Sequence, residues 1–182
     1  MEFITNTAAL RETLLAALSA VPWPSDNVDA PRALLQRCPA GKETPLVSCP
    51  TLATRVGCES LHIKDERQRM GLGSFKALGA AYVIAHDAQL GIAGGQTYVT
   101  ASAGNHGLSV AAGAAAFGAK AVIFLAHTVP ESFAERLRSQ YGADVRRYGA
   151  IYEDSMKGAA QAAVDNGWVL LSDSSWPGYW ER

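Results

Sequence analysis

The sequence predicts an α/β protein in which a parallel β-sheet carries helices on both of its faces. From about residue 72 onward, segments typical of strands alternate with segments typical of helices. One strand, "AVIFLA", is apolar without interruption, as expected where helices cover both faces of a sheet. The turns between these segments are short and marked by glycine. Repeats of this kind build parallel sheets through right-handed crossovers.

The repeat begins with a helix predicted over residues 74–88. Small and apolar residues recur at helical spacing on one face of this helix: Phe75, Leu78, Gly79 and Tyr82. A strand is predicted at 96–100, an Ala-rich helix from Asn105 to Gly118, and a second strand at 121–126.

The same alternation continues toward the end of the chain. A helix is expected between Pro130, near its start, and Gly142, at its end. The remaining predicted elements are a strand at 143–148, a helix at 153–165 and a strand at 168–173.

The N-terminal third has a different character. A helix is predicted near 7–19, where Arg11 and Glu12 interrupt an apolar run, a pattern that favours an amphipathic helix over a signal peptide. Prolines then follow in close succession, so regular structure there is expected to be short and broken. The segment 58–66 alternates apolar and polar residues and predicts a strand.

Composition excludes several classes of function. Sixteen basic and seventeen acidic residues nearly cancel, and no Lys/Arg-rich run is present, so neither a nucleic-acid nor a membrane partner is expected. The three cysteines show no spacing typical of zinc ligands, so no metal site is expected, and their odd number favours a reducing cytoplasm over a disulfide framework.

The segment "TASAGNHG" directly follows the strand at 96–100 and opens the next helix. Ligands of parallel sheets gather at the carboxyl ends of strands, which makes this loop the first candidate site. Small residues at Ser102, Ala103 and Gly104 allow close approach, and the free amides of the first helical turn favour an anion. Asn105 is able to cap the helix or to face a ligand, and His106 is expected at the rim. For the loop considered alone, a plain helix cap with glycine for the turn is the favoured explanation.

Lys76 is the second candidate. It falls in the first turn of the helix at 74–88, where the helix dipole disfavours a cation, and its neighbours are apolar. Both features favour the neutral amine, which is the form that makes Schiff bases. A solvated lysine on a helix flank is the alternative.

Taken together, the two segments resemble the pyridoxal-phosphate enzymes of fold type II, whose fold is that of the tryptophan synthase β subunit. The shared motifs are "TPL" at 44–46, "KDERQRMGLGSFKALGAAY" at 64–82 and "TASAGNHG" at 100–107. Within that superfamily the form of these motifs is similar to diaminopropionate ammonia-lyases, and "DSSWPGY" at 173–179 is similar to a segment of those enzymes.

The resemblance implies a role for each matching residue. Lys76 would hold pyridoxal 5'-phosphate as a Schiff base and later move the Cα proton, and Asn105 would contact the cofactor's 3-hydroxyl. Asp173 would match a catalytic acidic residue near the substrate's amino groups. The backbone amides of the following loop residues would bind the substrate carboxylate: Ser102, Ala103, Gly104, Asn105 and His106.

The function implied is β-elimination of ammonia from 2,3-diaminopropionate, giving pyruvate and ammonia. A threonine or serine dehydratase is the alternative, because Ala103 stands where the ammonia-lyases usually carry an acid. A non-catalytic, truncated homologue that acts as a binding module is the third possibility, because the family's chains are roughly twice as long.

The same resemblance predicts the organisation of the chain. We expect residues 1–75 to belong to a large domain, 76–172 to a small α/β domain, and 173–182 to begin a return to the large domain. On this prediction the chain is the N-terminal half of a fold type II enzyme. The expected partners are a small amino-acid substrate and a second copy, in a homodimer.

Overall fold

The computed structural model describes residues 27–174. The helix predicted near 7–19 and most of the "DSSWPGY" segment lie outside these residues. None of the helices in the described range is both long and apolar enough to cross a bilayer.

The N-terminal part of the described chain contains short elements, as its prolines predict. In chain order they are α1 (Asp29–Gln36), β1 (Leu46–Ser48), α2 (Pro50–Val56), β2 (His62–Lys64) and a 3₁₀ turn (Arg69–Gly71). β1 and β2 form an antiparallel ribbon with Val47 opposite Ile63. The strand predicted at 58–66 is therefore present but only three residues long.

The rest of the described chain has the strand–helix alternation that the sequence predicts. Its elements are α3 (Lys76–Gln89), β3 (Thr97–Ala101), α4 (Asn105–Ala116), β4 (Lys120–Leu125), α5 (Glu131–Tyr141), β5 (Asp144–Arg147), α6 (Tyr152–Asn166) and β6 (Val169–Leu170). The four strands form one sheet in the order β5-β4-β3-β6, and every pair is parallel. The predicted fold class is confirmed.

Alternation along the strands separates two apolar cores. Tyr98, Ile123 and Leu125 belong to a cluster that includes buried residues of α3, α4 and α5. Val99 and Phe124 belong to a second cluster, which includes residues of α6. Successive side chains of a strand point to opposite faces, so the sheet is covered on both.

The buried face of α3 differs from the predicted one. Phe75 is 62% exposed, Gly79 is exposed, and Leu78 and Tyr82 are half-buried. The buried residues are instead Ala77, Ala80, Ala81, Ile84 and Asp87. The cause is the close packing of α3 on α4: a Cβ at Gly113 would lie 3.0 Å from the Ile84 side chain and 3.3 Å from the Ala81 backbone. Helices this close favour small residues, so alanines occupy the contact.

The last strand is shorter than predicted. β6 ends at Leu170, whereas the sequence predicts a strand over 168–173. Among residues 27–174 it pairs with β3 alone, opposite Tyr98 and Val99. The chain leaves the sheet after the Leu171 N–H donates to the Val99 carbonyl at 2.9 Å. Because β3 and β6 are parallel neighbours, the loops that follow them lie at the same edge.

Candidate active site

Lys76 is the first residue of α3 and follows a tightly turned loop. In this loop Met70 has a φ of 51°, an uncommon conformation for a residue with a side chain, and the turn continues through Gly71 with a φ of 71°. The Lys76 N–H donates to Ser74 Oγ at 3.3 Å. The loop thus delivers the lysine at the N-terminal end of the helix.

A polar network fixes the segment that precedes this loop. Arg69 donates to Glu66 Oε2 at 2.6 Å and to Thr44 Oγ1 at 2.7 Å. Thr44 also donates to Glu66, and Lys64 donates to the Thr44 carbonyl. Charges at such a position are either solvated or support the lysine loop. The structure shows support, because Arg69 and Glu66 are only 12% and 17% exposed.

This network perturbs the titration of Glu66. Hydrogen bonds from Arg69 and then from Thr44 lower the pKa of Glu66 to about 2. Both donors favour the ionised carboxylate. The network is therefore intact at neutral pH.

The Lys76 amine pairs with Asp173, which follows β6. Lys76 Nζ contacts Asp173 Oδ2, and the two side chains are 35% and 27% exposed. Partial burial acts to raise the pKa of Asp173. The hydrogen bond from Lys76 and the charges of His106 and Lys76 outweigh burial, and the pKa is lowered. The carboxylate therefore faces the lysine amine in its charged form.

Tyr152 is a neighbour of this pair that the sequence did not indicate. Its hydroxyl lies 3.5 Å from Asp173 Oδ1, on the other side of the carboxylate. Partial burial, and then the charge of Asp173, raise the pKa of Tyr152. No local signal in "AIYEDS" marks the residue, because the contact joins the start of α6 to a loop beyond β6.

His106 is buried rather than placed at the rim. It is 6% exposed, and its Nε2 lies 2.8 Å from the Leu171 carbonyl. Burial, with a smaller effect of Lys76, lowers the pKa of His106 against the opposing effects of Leu171 and Asp173. The ring is therefore neutral at pH 7, with its Nε2–H donated to Leu171. This bond ties α4 to the loop that carries Asp173.

The segment from Ser102 to Asn105 forms the turn between β3 and α4. Asn105 is the first helical residue, so the cap position is Gly104, and no side chain caps the helix. Asn105 as the cap is thus wrong. Gly107 is required here, because a Cβ at this position would lie 2.7 Å from the Ser102 carbonyl oxygen. The first-turn amides have no partner within the helix, which suits an anion, whereas the Gly104 N–H donates to Ser102 Oγ at 3.3 Å.

The Asn105 side chain lies beside the lysine loop. A Cβ placed on Gly73 would be 3.9 Å from Asn105 Oδ1. The turn after β3 and the loop before Lys76 are therefore adjacent. Together with Asp173, they place an amine, a carboxylate, an amide side chain and free backbone amides at one edge of the sheet.

Ala103 is exposed and lines a small cavity of about 100 Å³ beside this edge. The cavity walls include Thr128, Tyr152 and Ser155, and none of its described lining residues carries a carboxylate or a basic group. Within residues 27–174, no group of three or more His, Cys, Asp or Glu side chains is arranged to hold a metal ion.

A family model described as pyridoxal-phosphate dependent enzyme matches residues 38–182. The chain belongs to this family. This match agrees with the family that the sequence predicts and with the predicted cofactor, pyridoxal phosphate.

Individual relatives indicate which members of the family the chain is similar to. A diaminopropionate ammonia-lyase of Salmonella typhimurium is 37% identical over 158 residues, which cover 76% of this chain and 39% of the relative. An L-serine dehydratase/L-threonine deaminase of Bos taurus is 29% identical over 144 residues, covering 79% of this chain and 42% of the relative. The chain thus spans about two fifths of the curated relatives it matches.

A solved structure shows the same fold. The crystal structure of Escherichia coli diaminopropionate ammonia lyase in apo form superposes with a TM-score of 0.74 at 27% identity. The match covers 86% of this chain and 48% of that chain.

The described residues fit the family's cofactor by their chemistry. Pyridoxal phosphate carries an aldehyde, which needs a primary amine, and Lys76 supplies a partly accessible one. It carries a ring hydroxyl, which needs a hydrogen-bonding side chain, and Asn105 lies beside the lysine loop. The arrangement brings together Lys76, Asn105 and Asp173. It leaves the His106 side chain outside, bonded to Leu171.

Proposed function

We propose that this chain forms the lysine-bearing part of a pyridoxal-phosphate-dependent lyase that eliminates ammonia from 2,3-diaminopropionate. The observation that carries the proposal is the contact between Lys76 and Asp173 at the edge of the sheet, beside the turn that holds Asn105. The choice of 2,3-diaminopropionate as substrate is supported by the similarity to diaminopropionate ammonia-lyases.

Different residues of the chain would bind the cofactor, move the proton and bind the substrate. Lys76 would hold the cofactor through its amine and, once released from it, would take a proton from the substrate's Cα. When bound, the cofactor supplies an electron sink for the charge left on that carbon. The amides of residues 102–106 would bind the substrate carboxylate at the helix N-terminus.

Asp173 would act on the amine and on the substrate's amino groups. Its carboxylate, ionised at neutral pH, would stabilise a positive charge at Lys76 Nζ. The same carboxylate would attract the ammonium groups of a diamino acid. A hydroxy-amino acid offers only one such group.

A dehydratase acting on serine or threonine is the second candidate. Ala103 favours it, because the cavity beside Ala103 presents hydroxyl groups and no carboxylate. The similarity to a serine dehydratase of Bos taurus is consistent with that reading. A non-catalytic binding module is the third candidate.

Pyruvate formation distinguishes these candidates. The purified chain, supplied with pyridoxal phosphate, is assayed with 2,3-diaminopropionate, serine and threonine in parallel. We expect pyruvate from 2,3-diaminopropionate that is abolished in Lys76→Ala and kept in Lys157→Ala, a control at an exposed lysine of α6. A keto acid from serine or threonine alone would select the dehydratase.

The cofactor's absorbance tests binding separately from turnover. A band near the edge of the visible range, present in the wild type and absent in Lys76→Ala, would support the cofactor role of this lysine. If saturating cofactor gives no such band and no substrate is consumed, the chain is a binding module.

We also propose that the chain forms a homodimer. The antiparallel ribbon supports association, because it exposes Leu46, Val47 and Ile63 by 65%, 44% and 46%. Light scattering of the purified chain measures its mass, and a monomer at micromolar concentration would reject this proposal.

A further inference from the structure

A large cavity lies away from the candidate active site, between α1, α3 and α4. Its volume is about 690 Å³. The walls are apolar and are contributed by all three helices: Leu34, Leu35, Ala81, Ala85, Ala112 and Ala116. The lining within residues 27–174 contains no acidic residue. A cavity of this size and character in a small domain calls for an apolar occupant.

The wall formed by α1 is incompletely covered. No residue of α1 is fully buried, and Leu34 and Leu35 are half-buried although they face the cavity. An eight-residue helix that buries so little of its apolar surface gains little stability from its own packing. An occupant of the cavity would cover this helix.

The chain itself provides a matching segment just before α1. Residues 7–19 lie outside the described residues, and their sequence predicts an amphipathic helix. Leu10, Leu14 and Leu18 recur every four residues and form one apolar stripe, whereas Glu12 and Ser19 fall on the opposite side.

The connection is long enough for this segment to reach the cavity. Residues 20–26 separate it from the described chain, and they span up to about 25 Å when extended. Helix α1 is only about 12 Å long and ends at the cavity wall. A tether of this length holds the segment at an effective concentration on the order of millimolar, which favours it over a second copy in dilute solution.

We propose that residues 7–19 dock as a helix into the cavity between α1, α3 and α4, with the stripe of Leu10, Leu14 and Leu18 facing its walls. Docked there, the segment would cover the apolar surface of α1 and α3. This docking would be independent of the proposed reaction.

A native cysteine makes the proposal testable by cross-linking. Cys38 lines the cavity, whereas Cys49 and Cys58 do not. In a Cys49→Ser/Cys58→Ser background, one cysteine is added on the stripe, as Leu10→Cys, Leu14→Cys or Leu18→Cys. The matched controls are Glu12→Cys and Ser19→Cys on the opposite side. Each protein is checked by circular dichroism and then oxidised under mild conditions at micromolar concentration.

We expect an intramolecular disulfide with Cys38 in at least one stripe variant, formed about tenfold faster than in either control because docking raises the local thiol concentration. Mass spectrometry identifies the linked peptides, and gel mobility separates monomers from dimers. Equal rates on both sides of the segment would overturn the proposal. Disulfide-linked dimers would overturn it as well, by showing that a second copy fills the cavity.

Discussion

Asp173 lies against the amine of Lys76 although 97 positions separate the two residues in the chain. The sheet explains the contact. Lys76 begins the helix before β3, and Asp173 follows β6, which is the parallel neighbour of β3. The pair is therefore a product of strand order, and it assembles only when β6 is in place.

Replacing Asp173 by asparagine should lower stability in a pH-dependent manner. The pKa of Asp173 is lowered in the folded chain relative to its ordinary value of 3.8. Its contribution is therefore fully present above pH 3.8 and is lost as the pH falls through the folded value. For a pair that is partly exposed we expect about 0.2–1 kcal/mol at pH 7.

Urea denaturation of the wild type and Asp173→Asn at several pH values measures this difference. Asp144→Asn is the control, since Asp144 forms a surface pair with Arg146 in which both side chains are about half exposed. A difference that stays constant from pH 7 to pH 2 would contradict the pairing.

Titration of Tyr152 should respond to the same substitution. Burial and then the charge of Asp173 raise the pKa of Tyr152, so Asp173→Asn should bring that pKa part of the way back toward 10.0. Phenolate absorbance measures the titration, and Tyr152→Phe in each background isolates the contribution of this residue from the other tyrosines. Superimposable curves with and without the carboxylate would show that the two side chains do not meet.

The sequence predicts the sheet better than it predicts the site. An unbroken apolar run predicts strand β4, and the helix after Pro130 ends at Gly142 as expected. Side-chain contacts between distant segments leave no local pattern in the sequence, so the sequence does not indicate the contact of Tyr152 with Asp173. The sequence also predicts the wrong buried face for α3, because the close contact of α3 with α4 favours alanines over larger apolar residues.

The network of Thr44, Glu66 and Arg69 should stabilise the chain more than the neighbouring pair of Asp65 and Arg67. The network joins Thr44 to Glu66, which are 22 residues apart in the chain. The pair of Asp65 and Arg67 joins residues two positions apart, and the Arg67 side chain is 84% exposed. We expect Glu66→Gln to lower the melting temperature by several degrees and Asp65→Asn to leave it nearly unchanged. The Glu66 contribution is present above pH 4.5 and declines as the pH falls to about 2.

Thermal melts at pH 7 and pH 3 measure both variants. The gap between Glu66→Gln and the wild type should narrow at the lower pH. Equal effects of the two substitutions at pH 7 would mean that the network gives the lysine loop no support beyond that of a surface pair.

Two glycine-to-alanine substitutions should have opposite effects on stability. At Gly107, a Cβ would lie 2.7 Å from the Ser102 carbonyl, so the turn after β3 must shift, at a cost of about 1–3 kcal/mol. At Gly79, within α3, a Cβ would meet nothing within 4 Å, and alanine should stabilise the helix by about 0.5–1 kcal/mol. Denaturant unfolding measures both changes.

Because the turn after β3 also holds Asn105, Gly107→Ala should weaken cofactor binding in the same preparation, whereas Gly79→Ala should not. A Gly107→Ala protein as stable as the wild type would mean that helix α4 does not begin as close to Ser102 as the structure shows.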